Sequence, residues 1–178
     1  MKMDKVAGSG NDEFFTPKFA IKPLLKYIKP RSVIWCPFDT HESNYVKIFS
    51  ENGHEVINGH IDDGEDFFAI NPFEDIRFDY IISNPPYSKK TEVLERLFEF
   101  GIPFAMLVGV VGLFESQRRF DMFKNNKFEI MYFNKRVSYM KDYSSIKLEL
   151  NHPFSSVYVC HNILPQQIVF EEINKKDI

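Results

Sequence analysis

The stretch FDYIISNPPYSKK, Phe78 to Lys90, opens as a buried strand and closes on a turn that is poor in backbone donors. Tyr80, Ile81 and Ile82 follow Asp79 and run into Asn84-Pro85-Pro86-Tyr87. Two successive prolines fix φ and donate nothing, so the turn is stiff and rich in acceptors. Asn84 adds a side-chain carbonyl, and the Asn84-Pro85 and Pro85-Pro86 peptides add two from the main chain. Termination of a strand requires neither the asparagine before the prolines nor the aromatic ring after them. The pattern suits a mouth that accepts both N–H groups of a planar amine, adenine above all, with Tyr87 as a stacking surface.

Outward from this turn, strands and helices alternate, which predicts an α/β fold with a mostly parallel sheet. A helix is expected over residues 17–28, with Thr16 as N-cap and Pro17 in its first turn. SVIWC (32–36) reads as the first strand and ESNYVKIFSENG (42–53) as a helix closed by Gly53, with Asp39 or Thr40 as its cap. HEVINGHI (54–61) is the second strand, EDFFAI (65–70) a short third and FDYIIS (78–83) a fourth. KKTEVLERLFEFG (89–101) and ESQRRFDMFKNN (115–126) are helices flanking the strand that begins PFAMLVG at Pro103. FEIMYF (128–133) and SSVYVC (155–160) read as the last two strands, an antiparallel pair at one edge. Residues 1–12 read as a flexible polar lead-in. Residues 13–178 read as a single domain without a separate target-recognition domain.

The composition fits a packed domain: 44% of the 178 residues are hydrophobic and 19 are Phe. Cys36 and Cys160 lie in apolar runs and read as reduced core residues of a cytoplasmic protein. No apolar run approaches the roughly 20 residues of a membrane span, and no signal peptide opens the chain, so no membrane partner is expected. The five histidines have no metal-ligand spacing, and no metal is expected. Net charge is −3, but unevenly spread. Asp39 to Asp79 holds eleven acids against Lys47 and Arg77, whereas Asn84 to Leu150 holds eleven bases against eight acids. That division suits a cofactor side and a phosphate-facing side, or ordinary solvated charge.

SNPPYS after FDYII resembles the catalytic motif of S-adenosylmethionine-dependent N6-adenine methyltransferases: Asn or Asp, Pro, Pro, then an aromatic. DEFFTP (12–17) is similar to the segment which packs over the methionine end of the cofactor in that family. The order of elements from Asn11 to Glu172 resembles the small phage-encoded members. The resemblance implies a Rossmann-like class I methyltransferase sheet, mostly parallel with an antiparallel last strand. It implies S-adenosyl-L-methionine as cofactor, nucleic acid (DNA or RNA) as partner, and the cytoplasm of a host cell as the location if the chain is phage-encoded.

By the same resemblance Asn84, Pro85, Pro86 and Tyr87 are catalytic. Phe15, Thr16, Pro17, Cys36, Pro37, Asp39, Asp62, Asp66, Phe67 and Asn84 face the cofactor. Asp39 is expected at the methionine amino group, Asp62 at the ribose hydroxyls, and Asp66 with Phe67 at the adenine. Pro37 and Phe38 stand where the family has glycines. Lys89, Lys90, Arg118, Arg119, Lys135 and Arg136 are expected at phosphates, and Tyr139 at a base; ordinary surface charge is the other reading of the six cations. Two further functions share parts of the pattern: a glutamine N5-methyltransferase, and a non-catalytic phage binding protein on a methyltransferase scaffold.

Overall fold

The computed structural model describes residues 14–144, 147–148 and 154–178. The expectations for residues 1–12, for Glu13 and for part of the loop before Phe154 lie outside the described residues. Seven strands form one sheet in the order β2-β1-β3-β4-β6-β5-β7. They are β1 (Val33–Cys36), β2 (Glu55–Asn58), β3 (Tyr80–Ser83), β4 (Phe104–Gly109), β5 (Glu129–Phe133), β6 (Ser156–His161) and β7 (Ile168–Glu171). Only β6 runs against the rest, pairing antiparallel with both β4 and β5. The sheet is thus Rossmann-like and mostly parallel, as expected for the class.

Side-chain alternation sorts the core into two layers. Ile34, Cys36, Tyr80, Ile82, Ala105 and Leu107 face α1 (Lys18–Ile21) and α2 (Asn44–Glu51). Trp35, Ile81, Phe104, Met106 and Val108 face α3 (Lys90–Phe100) and α4 (Gln117–Lys124). β3 and β4 are buried on every residue, which is why both read as unbroken apolar runs. Among the described residues, no helix is long and apolar enough to cross a membrane.

Several local expectations are corrected. The first helix is a single α turn followed by a 3-10 stretch, Lys22–Tyr27, because Pro23 cannot donate back to the preceding turn. Thr16 does not cap that helix; Pro17 holds the cap position without a side-chain bond. Ser43, rather than Asp39 or Thr40, caps α2, its hydroxyl accepting from the Tyr45 N–H at 3.1 Å. Residues 65–70 form turns instead of a third strand, while the sequence reading passed over β7, which adds to β5 in parallel at the far edge. β5 and β6 are an antiparallel pair, with β7 outside them.

Candidate active site

The carboxyl ends of β1, β2 and β3 open onto a cavity of about 560 Å³, where ligands collect in sheets of this kind. The turn after β1 supplies one wall (Pro37 to Thr40) and the segment from His60 to Phe68 supplies another. Asn84, Pro85 and Pro86 form the lip, while Phe14, Phe15 and Asp142 to Ser144 close over it.

Asp39 lies at the bottom, only 5% exposed. The hydroxyls of Ser43 and Ser83 each donate to one of its oxygens at 2.5 Å. Its backbone N–H donates to Gly59 O at 2.9 Å, fixing the β1 turn against the end of β2. The carboxylate is therefore held rigidly at the floor of the cavity. Its negative charge is felt nearby: burial first, then Asp39, pushes the Cys36 thiol well up.

His60 caps the short 3-10 turn Ile61–Asp63 by accepting from the Asp62 N–H at Nδ1, 3.1 Å away. The Asp62 carboxylate lies 3.4 Å from the same nitrogen and is 82% exposed at the rim. Asp66 Oδ1 accepts from Phe68 N at 3.0 Å, and the buried Phe67 ring packs on Phe38 (5.0 Å) and Trp35 (5.6 Å). Around the lining stand Asp39, Glu42, Asp62, Glu65, Asp66 and Asp142, with Lys89 the one lysine or arginine there among the described residues. Such a cavity attracts cations and repels phosphate.

At the lip, Asn84 Nδ2 donates to Phe14 O at 2.9 Å and to Thr16 Oγ1 at 3.1 Å. Both amide protons are thereby used, and among the described residues Oδ1 accepts from no donor. The segment that holds Asn84 is itself tied down. Asn44 Nδ2 donates to Thr16 O at 2.9 Å, and the Met140 N–H donates to Phe15 O at 2.9 Å.

The far side of the lip is filled. Tyr87 lies against Phe154, centroids 5.3 Å apart and planes 30° apart, with Phe14 edge-on at 6.5 Å. The space left there is about 10 Å³. Tyr139, expected at a base, is 3% exposed, packs on Phe14 at 5.3 Å and shares a 2.7 Å hydrogen bond with Ser156 Oγ.

Of the residues expected at the cofactor, Phe15, Pro37, Asp39, Asp62, Asp66, Phe67 and Asn84 line the cavity; Thr16, Pro17 and Cys36 do not. Cys36 points into the core beneath, and Thr16 stands behind Asn84. Lys89 reaches the cavity, and Lys90 the far side of the lip. Arg118 is engaged elsewhere, donating to Glu95 at 2.6 and 2.5 Å, which pushes the guanidinium pKa up. Lys135 and Arg136 are exposed beyond β5. The sequence reading missed Phe14, Glu42, Glu65, Asp142 and the serine pair on Asp39. Ser83 stood beside the motif in plain view, but Asp142 comes from a loop far along the chain that carries no local signal.

No family model and no curated protein matches this sequence. Among solved structures, the chain is similar to a modification subunit of an inferred type I restriction enzyme from Vibrio vulnificus YJ016, with a TM-score of 0.56 at 11% identity. The superposition covers 96% of this chain and 49% of that one, so this chain spans about half the length of that protein. At that identity the likeness is one of fold.

Proposed function

We propose that this protein is an S-adenosylmethionine-dependent methyltransferase acting on the N6 amino group of adenine in DNA or RNA. The observation that carries the proposal is Asn84. Its NH2 is held by two acceptors, and its carbonyl is left at the edge of an acidic cavity.

The lining suits the cofactor on its own chemistry. Asp39, held by two hydroxyls, would take the methionine ammonium; Asp62 would accept from the ribose hydroxyls. Asp66 and Phe67 would hold the adenine by its amino group and its face, beside Phe15 and Pro37. The surrounding carboxylates favour a sulfonium. The volume lies within the range of small-molecule sites.

When bound, the sulfonium would supply an electrophilic methyl group. Asn84 Oδ1 and the carbonyl following Pro85 accept the two N–H groups of the target. They draw the nitrogen lone pair out of the ring and aim it. Transfer would join that methyl to the nitrogen at the expense of its bond to sulfur, and the nitrogen would release one proton to water. Pro85 and Pro86 keep the acceptors rigid, and positioning supplies most of the rate. For a base to stack on Tyr87, Phe154 must give way.

The packing of Phe154 on Tyr87 favours a second reading, a binding protein on a methyltransferase scaffold. Calorimetry with the cofactor, then transfer of labelled methyl to DNA, RNA and protein, separates the readings. The expected product is N6-methyladenosine or its deoxy form. Asn84→Ala is expected to lower transfer by about 10²–10³-fold with cofactor affinity kept, a loss of the size seen when one preorganised polar group at a reacting centre is removed. N5-methylglutamine as the product, or no cofactor binding, would overturn the proposal.

A further inference from the structure

We propose that Lys90 and Arg119 form a phosphate seat on the turn after β4, holding the nucleic-acid backbone beside the base-accepting lip. The proposal rests on the reading of Asn84 to Tyr87 as that lip, and it deepens that reading. Lys90 Nζ lies 5.4 Å from the centre of the Tyr87 ring, 3.5 Å from Gly109 O and 3.4 Å from Val111 O. Gly112, with φ +66°, bends the same turn back. Arg119 Nη1 comes within 3.8 Å of where a Gly112 side chain would begin, so both cationic tips converge on residues 109–112.

Neither tip is neutralised. Arg119 donates to Ser116 Oγ at 3.2 Å and to Glu115 O at 3.4 Å, both uncharged acceptors. Among the described residues no carboxylate forms an ion pair with Lys90 or Arg119, although the Glu115 side chain lies on the same turn. Burial and then the Arg119 charge hold the Lys90 pKa below its usual range. A lysine held beside a second cation is what a shared anion relieves.

The neighbouring cations differ. Arg118 is occupied by Glu92 and Glu95, and Lys89 faces the acidic cavity. That cavity repels a phosphodiester, whereas the turn after β4 attracts one on the other side of the lip. A nucleotide with its base at Tyr87 would thus have its phosphate at Lys90 and Arg119. Such a seat positions the strand without reading its sequence.

The test is fluorescence anisotropy with a labelled single-stranded, adenine-containing oligodeoxynucleotide across a salt series. Lys90→Gln, Arg119→Gln, their double variant and Arg118→Gln are compared, and cofactor affinity by calorimetry reports an intact fold. The double variant is expected to weaken binding and to lower the salt slope by about 0.7, the share of a single phosphate that no longer meets a cation. Lys90→Arg should keep the slope and Arg118→Gln should leave it unchanged. An unchanged slope in the double variant, or an equal loss in Arg118→Gln, overturns the seat while the methyltransferase reading stands. A wild-type protein that binds cofactor but no oligonucleotide overturns the seat and the nucleic-acid substrate together.

Discussion

A carboxamide presents its oxygen reliably only when its nitrogen is fixed, and Asn84 has two acceptors on Nδ2, Phe14 O and Thr16 Oγ1. Thr16 is fully buried next to Tyr45, whose hydroxyl lies 2.9 Å from the Tyr158 hydroxyl. One threonine thus connects the lip to the centre of the sheet. Thr16→Val keeps its shape and removes the hydroxyl. We expect a stability loss of about 1–3 kcal/mol by urea denaturation, since buried partners are left short of a bond. Methyl transfer should fall by more than cofactor affinity does, because the freed amide can turn its nitrogen to the substrate. Equal losses in both would show that Thr16 supports the fold alone. The role proposed for Asn84 could be read from the sequence because its chemistry is local. Thr16 and Ser43 were not, since each gains its role from a residue that only the fold brings near.

Among the elements, the segment 65–76 shows why a strand was expected and not formed. EDFFAI is apolar enough for a strand, but Asp66 Oδ1 accepts from Phe68 N and Asn71 Oδ1 accepts from Phe73 N. These two Asx turns offer the backbone an alternative to a ladder, and Pro72 withholds a further donor. β7 escaped for the opposite reason: at four residues, with Phe170 78% exposed, it has the weak pattern of an edge. What holds 65–76 in place is Arg96 on α3. Its Nη2 donates to Ile70 O at 2.8 Å, and its guanidinium lies 4.8 Å from the Phe100 ring and 5.9 Å from Phe67. Among the described residues its buried Nε has no partner, so the residue is kept at some desolvation cost. Arg96→Leu should release the Phe67 wall. We expect stability to drop by about 1–2 kcal/mol and calorimetry to give a several-fold weaker cofactor Kd, with the transfer rate at saturating cofactor nearly kept. Unchanged cofactor affinity would separate this loop from the site.

Across the whole molecule, the layer between the sheet and α2 is built around phenols that burial keeps neutral. Tyr45, Tyr139 and Tyr158 are each at most 3% exposed, and burial is the first cause pushing each pKa up. Tyr27 is pushed up to about 12, by burial and then by its hydrogen bond to Glu171. In the unfolded chain these groups return to an ordinary value near 10. Above that pH the unfolded state sheds protons that the folded state retains, so stability falls as pH rises. Their contribution is complete below pH 10 and is lost as pH climbs from 10 toward the folded values, past about 12 for Tyr27. The two buried thiols, Cys36 and Cys160, are pushed up in the same way, so the urea midpoint should begin to decline above about pH 8.5 and drop more steeply above about pH 10. Tyr45→Phe tests the cause, since it keeps the ring and removes one ionisable group. Its midpoint should start lower at neutral pH, for want of the bond to Tyr158, and decline less steeply above about pH 10. An alkaline decline as steep as that of the wild type would mean that the Tyr45 phenol does not set it, and that the buried thiols and the loss of lysine charge do.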